Sequence, residues 1–388
     1  MLKQSHAIYE ELIHWRRDFH LHPELGFTEK RTSEIVATEL EKLGYKVRRG
    51  VGRTGVVADF GDENGPTIAI RADMDALPIL ESTDREYASL NPGVMHACGH
   101  DSHTSMALGV AAILAKEKFP GRVRFLFQPS EEMGDEQGIS GAPRMIEDGA
   151  LDGVDLVIAQ HVDPHEPVGT MAIIAGPASG GVDTWFANIF GLGGHGAHPH
   201  QTIDPFSILA HVIMALNSIV SRRLHPFQPA VVSIGTINGG FAQNVIPEKV
   251  EITGTFRYAN PEIHPQIREE IRRAFEISRN LGGDYDLRFE YGGPPMINHQ
   301  TAVELLRETG ITLLGPENVQ FMTPSLGAED FGAFTEKVPG AMFTLGAMIA
   351  GDERLLHHPR FDIDERALPI GTAILADAAL KFLRGASQ

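Results

Sequence analysis

The sequence predicts an α/β fold, a helix-covered mixed sheet carrying an inserted ferredoxin-like α+β unit. Short apolar strands alternate with helical segments from Gly55 to Gln160, the rhythm of a sheet covered by helices. From Asp183 to Gly292 the order changes to β-α-β-β-α-β, the ferredoxin-like unit. The first rhythm then resumes, so the second unit reads as an insertion: 1–178 and 297–388 form one domain and 179–296 the other. A chain of 388 residues exceeds the size at which one core keeps growing, in line with two domains.

Taken in order, two helices open the chain. Apolar residues recur at helical spacing from Ala7 to Leu43 (Ile8, Leu12, Trp15, Phe19, then Ile35, Leu40, Leu43), broken by a turn at His22, Pro23 and Gly26. Strands follow at Gly55–Phe60, Thr67–Arg71, Arg122–Gln128 and Asp155–Gln160, with helices at Ser102–Lys116 and Ala142–Asp148 between them. The inserted unit reads as strand Asp183–Phe190, a Gly-rich loop, helix Pro205–Ser221, strands Ala230–Asn238 and Lys249–Tyr258, helix Pro261–Asn280 and strand Asp286–Gly292. A helix at Thr301–Leu314, a strand at Ala341–Leu345 and a helix at Ile370–Leu383 complete the first domain.

Composition narrows the function. The 33 Lys and Arg against 51 Asp and Glu give a net charge of −18, which repels nucleic-acid phosphates and anionic membrane surfaces. No apolar run approaches the roughly 20 residues that span a bilayer, and the first residues read as a charged amphipathic helix, so the expected location is the cytosol. A single cysteine, Cys98, excludes an internal disulfide.

Ligands of open α/β sheets bind beyond the carboxyl ends of the strands, and the polar clusters fall there. Asp73 and Asp75 follow TIAIR, Glu131 and Glu132 follow RVRFLFQP, and His161 follows DLVIAQ. His96, Cys98 and His100 sit in a loop before the Ser102 helix, while His357 and His358 follow the late strand. Cys, His and carboxylate together suit zinc or another first-row divalent ion. The Glu131–Glu132 pair is the most informative, because one carboxylate can hold a metal while its neighbour takes a proton from water. Each feature has a plainer reading: a packed cysteine, a solvated glutamate pair, a turn aspartate, a core histidine. Five segments placing metal-competent side chains at one end of one sheet favour the chemical reading.

The chain resembles the hippurate hydrolase and aminoacylase (N-acyl-amino-acid amidohydrolase) branch of the dinuclear metallo-amidohydrolases, which are related to metallo-dipeptidases and carboxypeptidases. The resemblance rests on RRDFHLHPELGF (Arg16 to Phe27), RADMDALPI (Arg71 to Ile79), MHACGHDSHT (Met95 to Thr104), FQPSEE (Phe127 to Glu132), GGHGAHPH (Gly193 to His200), AQNVIPEKVEITGTFR (Ala242 to Arg257), LGAEDFGAF (Leu326 to Phe334) and LHHPRFDIDE (Leu356 to Glu365). It implies that Cys98, His100, Glu132, His161 and His357 hold two divalent ions per subunit (zinc, manganese, cobalt or nickel), with Glu131 as general base and acid. It further implies that Asp75 supports a ligand, that His195 is a lid histidine donating to the oxyanion, and that Asn244 and Arg257 bind substrate. The inserted unit would serve as lid and dimerisation domain of a homodimer. The implied activity is hydrolysis of the amide bond of N-acetyl or N-benzoyl amino acids; a dipeptidase or carboxypeptidase, a thiol hydrolase using Cys98, and a non-catalytic metal-bearing binding protein are the alternatives.

Three features depart from the family pattern. MGDEQGISGAP makes the loop after the glutamate pair longer and more acidic, Leu192 replaces a common lysine before the glycines, and His198 fills the variable position before Pro199.

Overall fold

The computed structural model describes residues 1–352 and 354–385. Two compact units divide the chain: Met1–Ala178 with Ile297–Pro324 and Ala333 onward, and Ser179–Met296 with Ser325–Gly332.

The first unit is built on an eight-stranded mixed sheet. Its order is Lys46–Val51, Gly55–Gly61, Arg122–Gln128, Thr67–Asp73, Leu156–Pro167, Gly340–Met348, Met171–Ile173, Val319–Phe321. The four central strands, 122–128, 67–73, 156–167 and 340–348, run parallel, so their carboxyl ends share one edge. Thr67–Asp73 is buried along its whole length, as a strand covered on both faces must be. The His100–Leu114 helix is likewise buried at every position and packs on this sheet, which explains why its apolar residues surround it rather than form a stripe.

Three short or polar strands escape the sequence pattern. Lys46–Val51 (KVRRGV) is mostly exposed at a sheet edge, and Met171–Ile173 and Val319–Phe321 hold three residues each. None offers the apolar run or alternation on which a strand is recognised.

The second unit has a four-stranded antiparallel sheet in the order Ala230–Gly239, Lys249–Tyr258, Gly181–Phe190, Asp284–Gly293. Numbered along the unit this is 2-3-1-4, the ferredoxin-like order. The helices Pro205–Arg222 and His264–Asn280 pack on it around Trp185, Phe256 and Phe275. Pro205–Arg222 is long and apolar enough to cross a membrane by length and composition. Its buried residues, Ile208, Leu209, Val212, Leu216 and Ile219, lie on one face, the pattern of a helix covering a sheet.

Candidate metal centre

Every expected metal ligand lies in the first unit, at the carboxyl edge of the parallel strands. The Leu156–Pro167 strand pairs with Thr67–Asp73 only as far as Arg71↔Ala159, so His161, two residues on, stands at the end of that ladder. His161 lies inside its strand rather than after it, because pairing with Gly340–Met348 carries the polar stretch HVDPHEP onward to Pro167. His100 likewise lies not in the loop but at the first position of its helix. Gly99 makes this start possible: it sits at φ 91°, and a Cβ there would meet Val162 Cγ2 at 2.4 Å.

The side chains converge. Ligand atoms of Cys98, His100 and His161 lie within 4.8 Å of one another; so do those of Cys98, Glu132 and His357, and those of His100, Glu131 and Glu132. Cys98 belongs to two of these groups and Glu132 to two, the arrangement expected of neighbouring cation sites that share donors.

Hydrogen bonds fix which nitrogen faces the cluster. His100 Nδ1 donates to the Asp75 carbonyl oxygen at 2.9 Å and lies 3.1 Å from Asp75 Oδ1, and His161 Nδ1 donates to the Val162 carbonyl at 2.8 Å. A carbonyl can only accept, so both neutral rings carry their proton on Nδ1 and present the Nε2 lone pair. His100 Nε2 is buried with no hydrogen-bond partner among the described residues, and His161 Nε2 lies 3.3 Å from Cys98 Sγ. Asp75 also accepts the Glu132 N–H at 3.0 Å, so one carboxylate orients a histidine and positions a glutamate. Asp73 is occupied differently: it accepts from Arg71 and His103, and His103 Nε2 accepts the Val162 N–H, a satisfied structural cluster.

The donor set fits divalent cations. Glu132 Oε1 is buried without an aligned hydrogen bond among the described residues, although His357 Nε2 approaches to 3.0 Å. Burial pushes the Cys98 thiol up. Burial works against protonation of His100, yet Asp73 and Cys98 raise it well above the usual histidine range, and Glu132 raises His357. Negative donors thus hold protons in the place where a cation would neutralise them, so metal uptake is expected to release protons.

His357 itself adopts φ 58° and Ser130, just before the glutamate pair, φ 45°. Left-handed backbone at non-glycine residues costs about 1–3 kcal/mol each and is kept where surrounding structure enforces it. For Ser130 the enforcement includes Glu29, which the sequence reading missed: Glu29 Oε1 accepts the Ser130 N–H at 2.8 Å and Oε2 accepts the Thr54 hydroxyl. Burial, with the nearby Asp75 charge, raises the Glu29 carboxyl to about 7. A folded-state pKa above the ordinary value means stability present at acid pH and lost as pH rises from about 4.5 through 7. The size is about 3 kcal/mol at 1.36 kcal/mol per unit. Glu29→Gln is expected to flatten denaturant-measured stability between pH 5 and 8; an unchanged slope would contradict the assignment.

A second missed residue is Arg16. Fully buried, it donates to Asp101 at 2.9 Å, Asp362 at 2.8 Å and Glu365 at 3.2 Å. Asp101 follows His100 and Asp362 lies five residues after His357, so one guanidinium ties together the segments carrying two expected ligands. Against their burial, Arg16 holds both aspartates below the usual carboxylate range.

The acidic loop after the glutamates is neutralised. Asp135 accepts the Gln137 and Ile139 N–H groups and pairs with Arg53 and Arg144, while Glu136 pairs with Arg53. Its extra charge therefore organises a turn.

The remaining candidates lie in the second unit. Gly194–His195 pairs with Val245–Ile246, which sets exposed His195 beside Asn244, whose carbonyl accepts the Gly196 N–H at 2.8 Å. His195 Nδ1 accepts the Ala197 N–H at 3.0 Å, leaving Nε2 as the donor in the neutral ring. Arg257 stands near the far end of the Lys249–Tyr258 strand and donates to the Leu326 carbonyl at 3.3 Å.

A parallel sheet edge that gathers thiol, imidazole and paired carboxylates defines a metal-dependent hydrolase. The family model described as Peptidase family M20/M25/M40 matches residues 69–381, and the chain belongs to that family. It is 38% identical to the N-acetyl-L-cysteine deacetylase of Bacillus subtilis over 97% of this chain and 89% of that one. Its identity to thermostable carboxypeptidase 1 of Saccharolobus solfataricus is 39%, over 97% and 96% of the two chains. The solved Bacillus subtilis YXEP protein, a dinuclear metal-binding peptidase of the M20 family, matches with a TM-score of 0.83 at 34% identity over 97% of this chain and 99% of that one. The chain is accordingly a metal-dependent amidohydrolase of the M20 type.

Proposed function

We propose that the protein hydrolyses the amide bond of N-acyl amino acids, with Cys98, His100, Glu132, His161 and His357 as the residues that would hold two divalent ions. The observation that carries this reading is the Glu131–Glu132 pair beside a buried Cys–His cluster: Glu132 completes the cluster and Glu131 serves the chemistry. When bound, such ions polarise the amide carbonyl and lower the pKa of a water.

The chain's own groups do the rest. Glu131 takes a proton from the attacking water and passes it to the departing amine nitrogen. Asp75 keeps His100 Nδ1 protonated and Glu132 in place. His195 donates through Nε2 to the carbonyl oxygen as charge grows on it. Arg257 offers a planar fork to the substrate carboxylate, and Asn244 supplies a further polar contact. The residue ranges 1–178 and 297–388 would form the catalytic domain and 179–296 a lid and homodimerisation domain. Exposed Val231 and Ile237 on the edge strand Ala230–Gly239, with Met214 and Phe227, support an interface there.

The likeness to an N-acetyl-L-cysteine deacetylase supports an acylated substrate, and the likeness to a carboxypeptidase supports the alternative of a peptide. A panel of N-acetyl and N-benzoyl amino acids beside unblocked dipeptides, assayed with zinc, manganese or cobalt, separates them. Turnover of the acylated set, lost on chelation and restored by metal, is expected; activity confined to unblocked dipeptides would overturn the substrate class.

A further inference from the structure

The chain carries an excess of 18 negative charges, yet one cavity of its first unit is lined by cationic groups. This cavity, about 500 Å³, is bounded by Ser82, Thr83, Asp84, Arg85, Arg354 and Arg360. Among the described lining residues, three guanidinium groups face one carboxylate. None of these residues belongs to the clusters that could hold a cation.

The arginines are only partly used. Arg354 is 8% exposed; its two terminal nitrogens donate to the Arg360 carbonyl and to Asp352, but its buried Nε has no hydrogen-bond partner among the described residues. A buried donor left unmade costs about 1–3 kcal/mol, so its retention calls for an acceptor. Arg85 spends Nε on Asp362 at 2.7 Å, and no other hydrogen bond from it occurs among the described residues. Arg360 is exposed, and its guanidinium makes no ion pair among the described residues. The lining hydroxyls are already committed as donors, Ser82 to the Pro359 carbonyl and Thr83 to Glu81, so the free donors are the guanidinium groups.

We propose that this cavity binds a small polyanion, a tetrahedral oxyanion such as a phosphate group or a polycarboxylate, at a site separate from the metal centre. Planar guanidinium forks match carboxylate and phosphate oxygens in pairs, and three of them around one cavity select more than one negative charge. Occupancy would also bridge two segments. Arg354 and Arg360 stand three residues before and after His357, while Arg85 belongs to the stretch anchored by the Ser82 N–H on the Pro359 carbonyl at 2.8 Å. A bound anion therefore ties down the segment that presents His357.

Calorimetric titration of the metal-loaded full chain with sulfate, inorganic phosphate, citrate and acetate, at matched ionic strength, tests this. Binding of at least one multivalent anion near one per chain, and not of acetate, is expected, with Arg360→Gln weakening it tenfold or more. Sulfate and phosphate binding without citrate identifies the tetrahedral class, and the reverse the polycarboxylate class. Because Arg360 is exposed, its loss leaves folding intact; Arg354→Lys, which keeps the charge and removes the buried Nε, should weaken binding as well. Slower amide exchange across residues 354–360 on anion addition is the second expected readout. Absence of binding by all three multivalent anions, or equal affinity in Arg360→Gln with unchanged metal content, would overturn the proposal; the latter result assigns the anion to the metals.

Discussion

Glu131→Gln is expected to lower kcat by about 10²- to 10⁴-fold, the usual range for a positioned general base, while the metal content stays at the wild-type value. The amide keeps the size of the side chain and removes its capacity to accept and return a proton. The ligand groups built on Cys98, His161 and His357 do not require Glu131, so the cations should remain. Single-turnover measurement on an N-acyl substrate isolates the chemical step from product release. Retention of most of the rate would transfer the base role to another group.

The second large effect is structural. Arg16→Met should destabilise the fold by about 3–5 kcal/mol, the range for breaking a buried ion pair from one side, a large share of the 5–15 kcal/mol that typically holds a domain together. Methionine fills the arginine's volume but leaves Asp101 and Asp362 as buried carboxylates without their shared cation. Since Asp101 follows His100 and Asp362 follows His357, metal occupancy should fall with stability. Denaturant unfolding with and without excess metal separates the two losses; a variant with wild-type unfolding midpoint and full metal content would contradict the coupling.

Much of the fold was legible because its signals are local. Each parallel strand is centred on a short apolar run, Ile68–Ile70, Phe125–Phe127, Leu156–Ala159 and Ala341–Phe343, and in the ferredoxin-like unit burial alternates along Asp183–Phe190 and Lys249–Tyr258. One failure depended on a partner far away in sequence and another on backbone geometry. The Leu156–Pro167 strand continues past Gln160 through a polar stretch containing two prolines only because Gly340–Met348 pairs with it. The His100 helix begins two residues before Ser102 because Gly99 takes a left-handed turn that composition does not announce.

The candidate site divides the same way. Cys98, His100, Glu131, Glu132, His161 and His357 could be singled out because their residue types are chemically distinctive at strand ends. Arg16 and Glu29 could not: their partners Asp101 and Ser130 lie 85 and 101 residues away, and an arginine on an early helix or a glutamate just before one reads as solvated surface. The hydrogen bonds that select the histidine nitrogens, from the Asp75 and Val162 carbonyls, depend on backbone position and leave no trace in residue type.

The central claim is that Cys98, His100, Glu132, His161 and His357 together would hold a pair of divalent cations. Elemental analysis of the purified protein, paired with Cys98→Ser and His357→Ala, tests it most directly. Two divalent ions per chain are expected in the wild type, with metal content lowered in both Cys98→Ser and His357→Ala. A fully active wild-type protein carrying no metal, or a Cys98→Ser variant retaining both ions at unchanged affinity, would contradict it.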